Sequence, residues 1–153
     1  MDLMMHLPVL IVVVPLLAGA LIVLLNHRKG AWLITLLTSL FLLYASVNLL
    51  QMVGQVDVIS YTLGGWAPPL GIELRIDALS ALMVLILAAS ALLVSIYALK
   101  SVEKEILEQN QVLFYTALLL VLAGLIGISV TADAFNIFVF LEISSLSTYA
   151  LIS

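Results

Sequence analysis

Cysteine is absent from this chain of 153 residues, and charge is scarce, at 9% of residues. Without thiols there is no disulfide, no thiolate-held iron–sulfur cluster and no cysteine nucleophile. The two histidines, His6 and His27, flank opposite ends of one apolar run and cannot form a local metal pair, so no metal and no cofactor is expected. Any redox chemistry would belong to another polypeptide. The five cations are scattered, so no basic patch invites nucleic acid. A soluble globular domain carries roughly a quarter charged residues, far more than this chain has. What remains is apolar: 65% hydrophobic residues and a mean hydropathy of +1.31.

The apolar residues fall in runs near ~20 residues, the length that crosses the ~30 Å hydrocarbon core as a helix. Spans are expected at about 7–25, 31–53, 78–99, 112–130 and 133–153, with a hairpin loop over 54–77. The fold class is therefore an all-α integral membrane protein. It has about five transmembrane helices and one extracytoplasmic β-hairpin loop, within a single membrane domain fragment. Asp2 precedes the first run, whereas Arg28 and Lys29 follow it; Lys100 and Lys104 follow the third. Under the positive-inside rule the N-terminus lies outside and the C-terminus in the cytoplasm. Pro15 is interior to the first run and predicts a kink. Thr35, Thr38, Ser39, Ser46 and Asn48 give the second run polar points for packing.

Between spans two and three, Ile72, Leu74 and Ile76 alternate with Glu73, Arg75 and Asp77, a strand period of two. Val56 and Val58 are expected to supply the second strand across a Gly/Pro-rich centre, with Trp66 near the interface. Ser101 to Gln111 reads as a short solvated, partly helical linker. Gly124 and Gly127 in the fourth span permit close helix approach. The fifth span ends at Ser153 without a basic flank, the pattern of a truncated or split gene product.

That fifth span, DAFNIFVFLEISSLSTYALIS, holds one ionisable group, Glu142, nine residues from Asp133. Nine residues of helix rise ~14 Å, which puts the carboxyl close to the bilayer centre. A charged residue at that depth costs roughly 3 kcal/mol and marks an ion path by default. At ~100° per residue, Phe135, Phe138, Glu142, Ser145 and Tyr149 share one stripe, while Ser144, Ser147 and Thr148 take the far side. Ser145 and Tyr149 could hold water or relay a proton beside the acid. No Lys, Arg or His lies in any expected span, so a counter-charge must come from elsewhere. Asp77 and Asp133 stand at outer helix ends, where capping competes with proton entry.

GGWAPPLGIELRIDALSALM before the third span and ADAFNIFVFLEISSLSTYAL in the fifth resemble the antiporter-like membrane subunits. These include the D-type subunit of Mrp-type Na+/H+ antiporters, whose wording is nearest, and the proton-pumping membrane subunits of NADH:quinone oxidoreductase, complex I. The resemblance covers the chain and the N-terminal portion of a much longer protein. It implies a core of two inverted five-helix repeats, each with a broken helix at the midplane. This chain would supply three leading helices and the first two helices of the first repeat. Glu142 matches the family glutamate that pairs with a lysine on the broken seventh helix. The resemblance implies that the charge state of Glu142 would bias the paired lysine and so gate proton movement along a midplane water chain.

The resemblance thus implies a proton-conducting component of a multi-subunit monovalent cation/proton antiporter in a bacterial or archaeal plasma membrane. Its partners would be other membrane subunits of a hetero-oligomeric complex and the lipid bilayer, with H+ and Na+ transported and no nucleic acid bound. Two alternatives stand beside it. One is the proton-translocating component of complex I or a related membrane-bound hydrogenase; the other is a non-conducting structural remnant.

Overall fold

The structure is a computed structural model that describes residues 6–62, 73–131 and 134–152. Its elements run α1 (Leu7–Leu25), α2 (Arg28–Val56), β1 (Ile59–Thr62), β2 (Glu73–Ile76), α3 (Ala78–Glu105), α4 (Glu108–Val130) and α5 (Ala134–Ile152). Among the described residues four helices, α1 to α4, are long and apolar enough to cross a membrane, and α5 is apolar from Ile137 to Ile152. The chain is a multi-pass helical membrane protein with a small two-stranded hairpin.

Each helix boundary has a local cause. Pro8 sits in the first turn of α1, where its missing N–H costs nothing. Pro15 lies within the continuous helix and is buried. Asn26 ends α1 in the left-handed conformation (φ 46°, ψ 47°), which asparagine tolerates, and donates its N–H to the Ile22 carbonyl at 3.0 Å. One residue later His27 starts α2, with its Nδ1 accepting from the Gly30 N–H at 3.0 Å. The turn between two spans therefore occupies only Asn26 and His27.

Packing follows the small and hydroxylated positions. On α2, Thr35, Thr38, Ser39 and Ser46 are all buried. Each satisfies its hydroxyl on its own helix, as in Thr35 to the Ala31 carbonyl at 2.8 Å and Ser46 to Leu43 at 2.8 Å. In hydrocarbon a hydroxyl without a partner is costly, and back-bonding removes that cost without lengthening the side chain. Two bonds then cross to α3: Ser39 Oγ meets Ser95 Oγ at 3.1 Å, and Trp32 Nε1 donates to the Ser95 carbonyl at 2.8 Å. α2 against α3, α4 against α5 and α1 against α4 form the main interfaces.

The hairpin pairs Ile59 with Ile76, Ser60 with Arg75, Tyr61 with Leu74 and Thr62 with Glu73, antiparallel. Leu74 and Ile76 are buried and Arg75 is exposed, as their alternation requires. The other strand corrects the expectation that Val56 and Val58 supply it. Val56 is the last residue of α2, and Asp57 (φ 67°, ψ −51°) turns the chain so that Val58 N–H reaches the Val56 carbonyl at 2.8 Å. That is a three-residue γ-turn. The strand begins after it because only Ile59 to Thr62 find partners on the four residues of β2. Trp66 and the Gly/Pro-rich hairpin centre lie outside the described residues.

The linker is partly helical and mostly exposed, as expected, but shorter, and one of its residues is not solvated. α3 continues to Glu105 and α4 starts at Glu108, leaving two residues between them. Gln111 is buried rather than solvated, because its Nε2 donates to the Ile106 carbonyl at 3.0 Å and reaches Val102 O at 3.4 Å. A side-chain amide thus closes the Ile106 carbonyl just past the end of α3, while the Val102 carbonyl also accepts the Ile106 N–H at 3.0 Å.

Candidate functional site

Two opposite ends of the bundle can be told apart by their pairs. At one, Arg28 meets Glu108 at 3.2 Å, beside the α1–α2 and α3–α4 turns. Both side chains are largely exposed, so the pair marks proximity more than it adds stability. At the other end His6 Nδ1 bonds Tyr61 Oη at 2.9 Å, and Leu74 bridges to Thr131. The hairpin is thereby held to the start of α1 and the end of α4. Four of the five cations, Arg28, Lys29, Lys100 and Lys104, cluster at the first end; Arg75 alone sits at the hairpin end.

Glu142 lies on α5, and the way α5 docks decides which way the acid faces. Ser144 and Ser147, each 8% exposed, turn toward α4. There Gly124 and Gly127 remove the side chains that would hold the helices apart. A methyl on Gly124 would stand 2.8 Å from both Ser144 Cβ and Ser144 N, and one on Gly127 would overlap the Phe140 ring. Two glycines three residues apart suffice here: Gly124 admits Ser144 and the Phe140 carbonyl, and Gly127 admits the Phe140 ring. With that face committed, the stripe of Phe138, Glu142, Ser145 and Tyr149 faces away from the bundle, Tyr149 at 78% exposure. The acid, the hydroxyl and the phenol share an open face.

No cation from the described residues reaches this stripe: the salt bridge of Arg28 is with Glu108, at the bundle end. A cleft of about 680 Å³ runs between α4 and α5 near their Asn110 and Ile152 ends, but Glu142 does not line it. Among the described residues no cluster of three His, Asp or Glu side chains could hold a metal.

Asp77 is placed as the N-cap of α3, where its Oδ1 accepts from the Ser80 N–H at 2.8 Å. That bond to the backbone of Ser80 holds the Asp77 carboxyl below its ordinary value. A depressed folded-state value stabilises the fold above the ordinary carboxyl range, and that contribution is lost as pH falls through the folded value. Asp77→Ala is accordingly expected to lower the melting temperature at neutral pH and to change it little in strong acid. Thermal unfolding in detergent at both pH values checks this. Asp133 and the Phe135 side chain lie outside the described residues.

Three polar contacts lie beyond the reach of sequence reasoning. His27 offers itself in the sequence only as a metal ligand, yet it caps α2; histidine is not a preferred cap, so its residue type carries no such signal. His6 with Tyr61 and Trp32 with Ser95 join residues 55 and 63 positions apart, outside any local pattern.

A bundle of long apolar helices with an end-on hairpin defines a multi-pass helical membrane protein. Comparison with known proteins agrees. The N subunit of NADH-quinone oxidoreductase from Desulforudis audaxviator is 37% identical over 151 residues, which cover 97% of this chain and 30% of that protein. The D subunit of the Na(+)/H(+) antiporter from Bacillus subtilis is 36% identical over 104 residues, 68% of this chain and 20% of the relative. Among solved structures, the Mrp complex from Dietzia sp. DQ12-45-1b superposes with a TM-score of 0.84 at 30% identity, over 99% of this chain and 27% of that one. The archaeal membrane-bound sulfane sulfur reductase also gives 0.84, at 28% identity over 95% of this chain and 30% of that one. No protein-family profile matches. The chain is homologous to part of the antiporter-like membrane subunits, and it spans about three-tenths or less of the relatives' length.

Proposed function

We propose that the chain forms part of a proton-conducting component of a multi-subunit monovalent cation/proton antiporter, with Glu142 on the proton path. The observation that carries this reading is the open face of α5. Glu142, Ser145 and Tyr149 occupy the side that α4 leaves free. A lone carboxylate turned to hydrocarbon costs roughly 3 kcal/mol, so the face calls for a polar partner. A lysine from outside these residues fits that need, since no cation of this chain lies on a membrane span near the acid. Ser145 and Tyr149 then flank the pair as groups that hold water or pass a proton.

The partners proposed are other membrane subunits of a hetero-oligomeric complex in a bacterial or archaeal plasma membrane, with H+ and Na+ as the ions moved. The relatives' names support this, one belonging to a Na(+)/H(+) antiporter and one structural neighbour being an Mrp complex. With four of five cations at the Arg28 end, the positive-inside rule places that end in the cytoplasm and the hairpin outside. α5 then runs inward, from an extracytoplasmic start to a cytoplasmic end.

A second reading is favoured by the NADH-quinone oxidoreductase relative, which is 37% identical over 97% of this chain, against 36% over 68% for the antiporter subunit. There the same module would be driven by electron transfer. Everted membrane vesicles bearing the assembled complex separate the two. Antiport predicts that a sodium pulse collapses a preformed acid-inside gradient, without NADH. A gradient that responds only to NADH oxidation would favour the redox-driven pump, and no response to either would leave a structural remnant.

A further inference from the structure

At the Arg28 end, a small pocket of about 40 Å³ lies between α2, α3 and α4, lined among others by Arg28, Lys29, Trp32, Glu103, Gln111 and Tyr115. Two of these side chains are almost wholly buried, Gln111 and Tyr115, each 3% exposed. Gln111 spends its Nε2 on the Ile106 and Val102 carbonyls, which leaves Oε1 as an acceptor without a hydrogen bond among the described residues. The Tyr115 hydroxyl has none either; its described neighbour is the edge-on ring of Phe114. Trp32 is already committed to the Ser95 carbonyl. A buried phenol and a buried amide oxygen thus line one small cavity, and each is costly if left dry.

The volume and the chemistry select the occupant. A water needs only about 10–15 Å³ of such space and two to four polar partners, so this pocket is roomy and polar enough for ordered water. Water there accepts from the Tyr115 O–H and donates to Gln111 Oε1, which satisfies both buried groups at once. The Glu103 carboxylate at the rim offers a second acceptor. A sodium ion would find oxygens here too, but Lys29 and Arg28 on the same wall oppose a cation. An anion would face Glu103 and the acceptor oxygen of Gln111.

We infer that this pocket is a site of ordered water, held by Tyr115, Gln111 and Glu103, that ties the ends of α2, α3 and α4 together.

Radiolytic hydroxyl-radical labelling tests the site directly, because radicals formed from bound water label the buried side chain that touches it. In the assembled complex in detergent, Tyr115 should be labelled within about threefold of Tyr97, despite 3% against 73% exposure. Gln111→Leu, which fills the cavity and removes an acceptor, should lower Tyr115 labelling about tenfold. Glu103→Leu, at an exposed rim position, should lower it less and serves where Gln111→Leu fails to assemble. Tyr115 labelled no faster than the fully buried Leu42 and Leu49 would overturn the inference. So would labelling that disappears when sodium replaces choline, which would mean that the cavity takes the cation instead.

Discussion

Glu142→Gln is expected to abolish proton movement by the assembled complex, by about two orders of magnitude or more, while leaving assembly intact. Glutamine keeps the length and hydrogen-bonding capacity of the side chain and removes only its ionisation. α5 holds to α4 through Ser144, Ser147 and Phe140, on the opposite side from Glu142, so docking of the helix does not depend on the acid. Dye-monitored acidification of everted vesicles reads transport, and a native gel of the same membranes reads assembly. If Glu142 is only a hydrogen-bonded tie between helices, glutamine performs that task equally well and transport is unchanged. Ser145→Ala and Tyr149→Phe should slow transport without eliminating it, because each supports the acid and neither replaces it.

The second large effect is structural. Gly124→Ala is expected to undock α5 and lose both stability and transport. The new methyl would stand 2.8 Å from Ser144 Cβ and N and 3.0 Å from the Phe140 carbonyl oxygen. Two of those three atoms are backbone of α5, so relief requires moving the helix and not rotating a side chain. Overpacking of this kind costs about 1–3 kcal/mol. Glu142 lies two residues before Ser144, so a displaced α5 carries the acid away from its partner. Thermal unfolding in detergent and the vesicle assay should therefore fall together, unlike Glu142→Gln, where transport alone falls. Gly19→Ala is the control: its nearest neighbours, the Thr116 carbonyl and Leu120, stand 3.7 and 3.8 Å away, an ordinary contact. Unchanged stability in Gly124→Ala would refute the close docking of α4 and α5.

The membrane character and the hairpin were legible because each rests on a local pattern. A run of apolar residues must be helical in hydrocarbon, since only a helix satisfies its own backbone there. The alternation of Leu74, Arg75 and Ile76 likewise fixed which side of β2 is buried. Val56 and Val58 misled because β-branched residues fit a strand, whereas the hydrogen-bond partners across the hairpin set where β1 begins. The Ser101–Gln111 linker misled at Gln111 for a related reason. Polar composition suggested solvent, which holds for most of the stretch, but Gln111 buries its amide on the Ile106 carbonyl.

By itself, then, the sequence determined that this chain lives in a membrane, which segments are helical, and that the last of them carries a single acid, Glu142. Periodicity also placed Glu142, Ser145 and Tyr149 on one stripe and Ser144 and Ser147 on another. Only the tertiary structure decided which stripe is packed and which is open. That choice depends on Gly124 and Gly127, on a helix earlier in the chain, and on whether their missing side chains admit Ser144 and Phe140. The same holds for the cavity at Tyr115, whose walls come from three helices. Side-chain type and spacing set what a helix face can offer, but which face is covered is a question of shape between segments distant in sequence.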